Sequence, residues 1–177
     1  MAIAAAGFVM SAPPAPDLDL TPAAVAAECE WLLDRGDVIV PIVNEVRADL
    51  GEAFDTTVDP IDAGDYERVI AETAADGDRA VNLAALVAFL RGMDVEGDYP
   101  GFVVDELLGR ELAAMLAGDQ PLRLLAEATF HVADVRTHGG PDEAAGADDL
   151  DAALAAGVQT RLPGWPWQEG PSPFALE

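Results

Sequence analysis

Apolar residues recur at helical spacing along most of the chain and at strand spacing almost nowhere. After Thr21, the residues Val25, Cys29, Leu32 and Leu33 share one helical face. The Thr21 hydroxyl is placed to cap this helix, and Pro22 stands in the first turn, where its missing N–H costs nothing. The pattern predicts a stop at Gly36. A second helix is expected from about Pro41, burying Ile42, Val43, Val46 and Leu50, with Gly51 as a left-handed cap. Residues 52–65 lack a period and carry Pro60 and Gly64, so they read as a loop.

Tyr66, Val69, Ile70 and Thr73 mark a third helix, which the turn at residues 75–78 ends. Asp78 is then placed to cap a fourth helix holding Val81, Leu83, Leu86, Val87, Phe89 and Leu90. That helix is apolar nearly all round, which predicts a central position and obliges Asn82 to find a hydrogen-bond partner if it is buried. A fifth helix is expected from about Phe102 to Ala117, with Val104, Leu107, Leu108, Leu112, Met115 and Leu116 as its stripe. A sixth follows, with Asp119 as cap, Pro121 in its first turn, and Leu122, Leu125, Thr129 and Val132 facing the core. The longest strand-like run is DVIV at residues 37–40.

Together these elements predict an all-α fold: a single-domain bundle of five to seven helices with an extended Pro/Trp-rich C-terminal arm. Residues 1–20, with SAPPAPDLDL at their end, read as a proline-rich tail, and residues 21–139 as the helical domain. Residues 140–177 read as a linker, one short helix in DLDAALAAG, and an arm too rich in proline to be helical. The arm carries Trp165, Trp167 and Phe174. They are too apolar for a free tail, so they are expected to lie on the body, the preferred reading, or to bind a partner.

Composition narrows the function classes. At 177 residues, one domain of this size buries about 70% of the surface of its unfolded chain. The single cysteine, Cys29, cannot form an internal disulfide, and its neighbours Glu28 and Glu30 disfavour a reactive thiolate. The N-terminal apolar run has no positive residue before it and no run reaches the ~20 apolar residues of a bilayer span, so a cytoplasmic location is expected and a membrane is not. Charge is the strongest signal: 33 acidic residues face 9 arginines, lysine is absent, and the formal net charge is -24. Direct attraction to nucleic acid is excluded, while fast association with a basic protein surface at low salt is favoured. Adaptation to a salty cytoplasm, a GC-rich genome and an acidic decoy for a basic partner all remain compatible with that excess.

Only one constellation invites chemistry. Read as helix, residues 127–138 align Glu127, His131, Asp134 and His138 in a stripe. Imidazole and carboxylate are good ligands for zinc, manganese or iron, and an i, i+4 pair can bind one ion from one face, with Asp105, Glu106 or Glu111 of the fifth helix in support. Carboxylate-bridged metal bundles use Glu-x-x-His at a spacing of three, however, and here the spacing is four. The preferred reading is a solvated face, with Glu127 and His131 an ordinary pair and His138 near the carbonyl end of the helix. His131 becomes a candidate general acid or pH switch only if protein covers that face. Arg123 and Arg136 are expected to bridge nearby carboxylates rather than bind an anion.

No cofactor is called for by any motif. The expected function is therefore non-enzymatic: an acidic helical protein of accessory, inhibitor or immunity type, recognising a protein partner with a basic surface. A small metal-dependent helical enzyme using the stripe is the alternative, and an acidic mimic of nucleic-acid charge the third.

Overall fold

A computed structural model describes residues 19–137, 145–171 and 174–176. They form α1 (Pro22–Asp34), α2 (Gly36–Ala53), α3 (Ala63–Ala74), α4 (Gly77–Arg91), α5 (Asp98–Val103), α6 (Arg110–Ala117), α7 (Leu122–Asp134) and α8 (Ala145–Thr160). A π-helical stretch, Val104–Gly109, joins α5 to α6 as one continuous rod, which makes seven helical rods. The all-α fold class is as expected, and no strand occurs among the described residues. No helix among them is long and apolar enough to cross a membrane.

Local signals explain most boundaries. The Thr21 hydroxyl accepts from the Ala24 N–H at 3.2 Å, with Pro22 in the first turn as anticipated. Asp62 opens α3 through a reciprocal capping box with Asp65. The cap of α4 is Asp76, not Asp78: its carboxylate accepts from the Asp78 and Arg79 N–H groups.

Three further expectations are overturned. The DVIV run is helix, not strand, because Arg35 alone separates α1 from α2 and its carbonyl accepts from Val38 and Ile39. Pro41 consequently lies inside α2. Its ring is solvent-facing there, and the stripe of Ile39, Val43, Val46 and Leu50 still reaches the core. Gly51 is not a left-handed cap but a buried helical residue; a Cβ there would lie 2.8 Å from the Thr56 carbonyl, where the chain folds back.

The third correction concerns the centre of the bundle. Helix α4 leaves Val81 and Phe89 39% and 42% exposed, and Asn82 faces solvent. The central element is α8, in the segment read as a linker and a short helix. Every residue from 149 to 160 is buried, and α8 packs on α2, α4, α6 and α7. Alanine and glycine make this possible: a Cβ on Gly157 would lie 2.6 Å from Leu116 Cβ and 2.8 Å from the Ala113 carbonyl, so α6 and α8 touch backbone to backbone.

The C-terminal arm lies on this body. Arg47, 2% exposed, donates to the carbonyls of Asp59, Gln159 and Pro163, and so fastens the 54–62 loop and the arm to α2. Its guanidinium stands 5.4 Å from the Trp165 ring, and Phe54 meets the same ring edge-on at 6.2 Å. Burial lowers the Arg47 pKa, opposed by the negative charges of Asp65 and Asp59.

Candidate functional site

The predicted stripe lies beside the π-helical stretch, and its geometry follows from how that stretch packs. The Arg110 N–H reaches back to the Asp105 carbonyl, five residues earlier, which widens the helix by one residue per turn. Gly109 closes the stretch against α7: a Cβ there would fall 2.5 Å from Phe130 Cζ, so only glycine lets the wider turn rest on that ring. The π-helical residues then fan out. Asp105 turns toward α8, Glu106 toward α7, and Leu107 into solvent at 59% exposure.

His131 is at the surface, its side chain 49% exposed. Its Nε2 lies 3.1 Å from Glu106 Oε1, and its ring meets Phe130 edge-on at 5.3 Å. Glu127 does not pair with His131 one turn on, as expected from spacing, but bridges Arg110 at 3.6 Å and Arg123 at 3.4 Å. Arg123 also holds Glu111 at 2.9 Å, and Arg136 holds Asp49 at 2.6 Å, so both arginines are carboxylate partners as anticipated. The supporting residues named from the fifth helix all take part, each with a different neighbour. His138 lies outside the described residues. Among those described, no group of three or more His, Cys, Asp or Glu side chains is placed to hold a metal ion.

Asp134 belongs to a different grouping that spacing on one helix does not reveal. Asp149, in the first turns of α8, is 6% exposed and hydrogen-bonds the Asp105 carboxyl, with Asp134 and Asp148 close enough to act on its charge. Two carboxyl groups can share a hydrogen bond only if one of them carries a proton. Burial first, then the bond to and the charge of Asp105, push the Asp149 pKa up to about 8, with Asp134 and Asp148 adding to the rise. Two residues on, Asp151 is equally buried at 7% but accepts two hydrogen bonds from Arg35, each 2.7 Å long.

The aromatic residues expected to meet a partner divide. Trp165 is 1% exposed and belongs to the core, which corrects its candidacy as a partner contact; Trp167 is 46% exposed and Phe174 87%. Cys29 is half-buried, and its pKa is raised by burial first and by Glu28 second.

Missed from sequence was an apolar stripe on α5 and the π-helical turn. Tyr99, Phe102 and Leu107 are 76%, 56% and 59% exposed, and Asp94, Glu96 and Asp98 beside them all face solvent. The expected fifth helix began at Phe102, inside this feature, because Pro100 and Gly101 resemble a turn; Pro100 in fact sits in the first turn of α5, where proline is tolerated.

A family model described as a domain of unknown function, DUF7984, matches residues 18–177. The chain belongs to that family. No curated protein and no solved structure matches the chain. The DUF7984 match extends over α8 and the C-terminal arm as well as the preceding helices.

Proposed function

We propose that this DUF7984 protein is a non-enzymatic, cytoplasmic recognition protein, and that its partner is a protein presenting a basic amphipathic surface. The observation that carries this reading is the exposure of Tyr99, Phe102 and Leu107 along α5 and the π-helical turn, with the exposed carboxylates Asp94, Glu96 and Asp98 immediately before them in the chain. Large apolar side chains clustered on a surface and rimmed by charge are the usual composition of an interaction patch. The aromatic pair supplies anchors whose few rotatable bonds lose little entropy on docking, and the carboxylates supply rate and choice of partner. The net charge of -24 strengthens the second part.

The test uses a helical peptide with lysine on one face and leucine on the other, and polylysine as its apolar-free control. Tyr99→Ala with Phe102→Ala is expected to weaken peptide binding at least tenfold and leave polylysine binding unchanged, as the loss of two interface anchors predicts. Raising salt from low to high should weaken both. Equal peptide affinity for variant and parent sinks the proposal, and an affinity that rests on charge alone favours the mimic of nucleic-acid charge.

A further inference from the structure

The first half of α1 and the start of α4 do not close on each other. Between them runs a groove of about 570 Å³, within the ~300–1,000 Å³ usual for a site that takes a bound group. Its more buried side chains are small: Val25 and Cys29 from α1, and Ala80 from α4. Its more exposed ones are apolar too, with Leu20 at 49% and Val81 at 39%. Glu30 is the one charged residue among the described residues that line it.

Charge and connectivity separate the occupants that an apolar groove could take. The basic partner proposed for the α5 surface finds a single carboxylate here, so little holds it. A second copy brings a net charge of -24 against the same charge, which opposes association at low salt. The segment that leads into α1 has neither handicap. Leu20 lines the groove, so the chain before it departs from the edge of the groove itself. Asp17 is the only charged side chain in residues 1–18, and residues 2–10, AIAAAGFVM, are apolar throughout.

Reach and concentration favour the same occupant. Residues 11–19, with Pro13, Pro14 and Pro16, form the connection. At the ~3.1 Å rise of extended proline-rich chain they reach at most about 28 Å. The stretch of α1 that lines the groove, Pro22 to Glu30, is only about 12 Å long at ~1.5 Å per residue. The apolar run can therefore return to any point of the groove. A short tether of this kind supplies an effective concentration on the order of millimolar, so a contact of millimolar intrinsic affinity is already populated.

We propose that the groove between α1 and α4 is the docking site for the chain's own apolar segment at residues 2–10, tethered by the proline-rich residues that follow. Docking covers Cys29 and the exposed Leu20 and Val81. The contact is separate from the α5 surface and independent of the protein partner.

Cys29 is the only thiol of the chain and lies in the groove, so its alkylation by a bulky uncharged maleimide reports whether the groove is covered. The rate is measured on the full chain at one fixed pH under native conditions. Ile3→Ser with Phe8→Ser should alkylate at least tenfold faster than the parent. A synthetic peptide of residues 1–18, added at millimolar concentration, should slow the double variant saturably, a rescue that general loosening of the fold cannot imitate. Val81→Ser should also speed alkylation. The parent rate should be independent of protein concentration and should not rise with salt, because screening does not weaken apolar burial. Equal rates for parent and double variant, or a double variant that the peptide fails to protect, overturns the proposal. Protection that grows with protein concentration assigns the groove to a second copy, and protection of the double variant by the lysine-leucine peptide assigns it to a basic partner; either result overturns the intramolecular contact.

Discussion

Asp149 and Asp151 sit two residues apart near the start of the same helix and are buried to nearly the same extent, yet the protein deals with them in opposite ways. Asp151 meets a guanidinium from the corner between α1 and α2; Asp149 meets a carboxyl from the π-helical turn. Burial by itself disfavours the charged form of any carboxyl. What decides the outcome is the group each helix face encounters. One flank of α8 is fixed by a charge pair, and the other by a proton held between acids.

Removing the guanidinium tests the first flank and should have the largest effect. Arg35→Ala takes from the buried Asp151 carboxylate the guanidinium that donates two hydrogen bonds to it, and breaking a buried pair in this way costs roughly 3–5 kcal/mol. It also removes one of the two guanidinium groups that stack on Trp31, the other being Arg91 at 4.6 Å. Urea unfolding at neutral pH should show the loss as a lowered midpoint. A loss under about 1 kcal/mol would place the ion pair among surface bridges and remove the contrast between the flanks.

The second flank predicts a pH dependence with a definite sign. The Asp149 pKa in the folded chain, about 8, exceeds the unfolded value of about 3.9. Between those two values the folded state holds a proton that the unfolded state has released. Stability is therefore fully present below about pH 4, falls as pH rises through the window, and levels off above about pH 8. The side-chain amide introduced by Asp149→Asn keeps a donor toward Asp105 and has no proton to lose. This variant should match the parent near pH 4 and exceed its stability near pH 8 by on the order of 2 kcal/mol. Parallel stability curves for the two proteins across that window would contradict the shared-proton description.

The same contrast separates what was legible in the sequence from what was not. Stripes built of large residues were read correctly: Tyr66, Val69, Ile70 and Thr73 on α3 are all buried, as are Val43, Val46 and Leu50 on α2. On α7 the face was turned, with Ala126, Phe130 and Ala133 buried beside Thr129 and with Leu122, Leu125 and Val132 half-buried. Alanine is the common element in these misreadings. It contributes little to an apolar pattern, yet it lets helices approach closely, so the alanine-rich α8 took the centre that the bulkier α4 was expected to fill. Asp149 and Asp151 fell at the start of what read as one short helix after a linker, where carboxylates are expected to meet solvent. Their burial depends on Arg35 and Asp105, residues 116 and 44 positions away from Asp151 and Asp149 respectively, and no local spacing encodes such pairs. The π-helical turn was equally illegible, since one extra residue per turn changes which side chains face α7 without altering composition.

His131 supplies the smallest effect and the sharpest limit on the stripe from which the sequence raised the question of a site. Its imidazole is about half exposed, and its ion-pair partner Glu106 also bridges Arg110 at 2.8 Å, so Glu106 keeps a charge partner when His131 is removed. Exposed pairs of this kind contribute roughly 0–1 kcal/mol. The edge-on contact with Phe130 is also lost, but Phe130 itself is held by the core. His131→Ala is therefore expected to shift stability by less than about 0.5 kcal/mol and to leave binding of the amphipathic peptide unchanged. A shift above about 2 kcal/mol, or a transition ion bound stoichiometrically by the parent and lost from the variant, would mean that this face does more than meet solvent. In that event the two flanks of α8 would no longer be the molecule's principal electrostatic contrast, and His131 with Glu106 would take their place as the site to dissect.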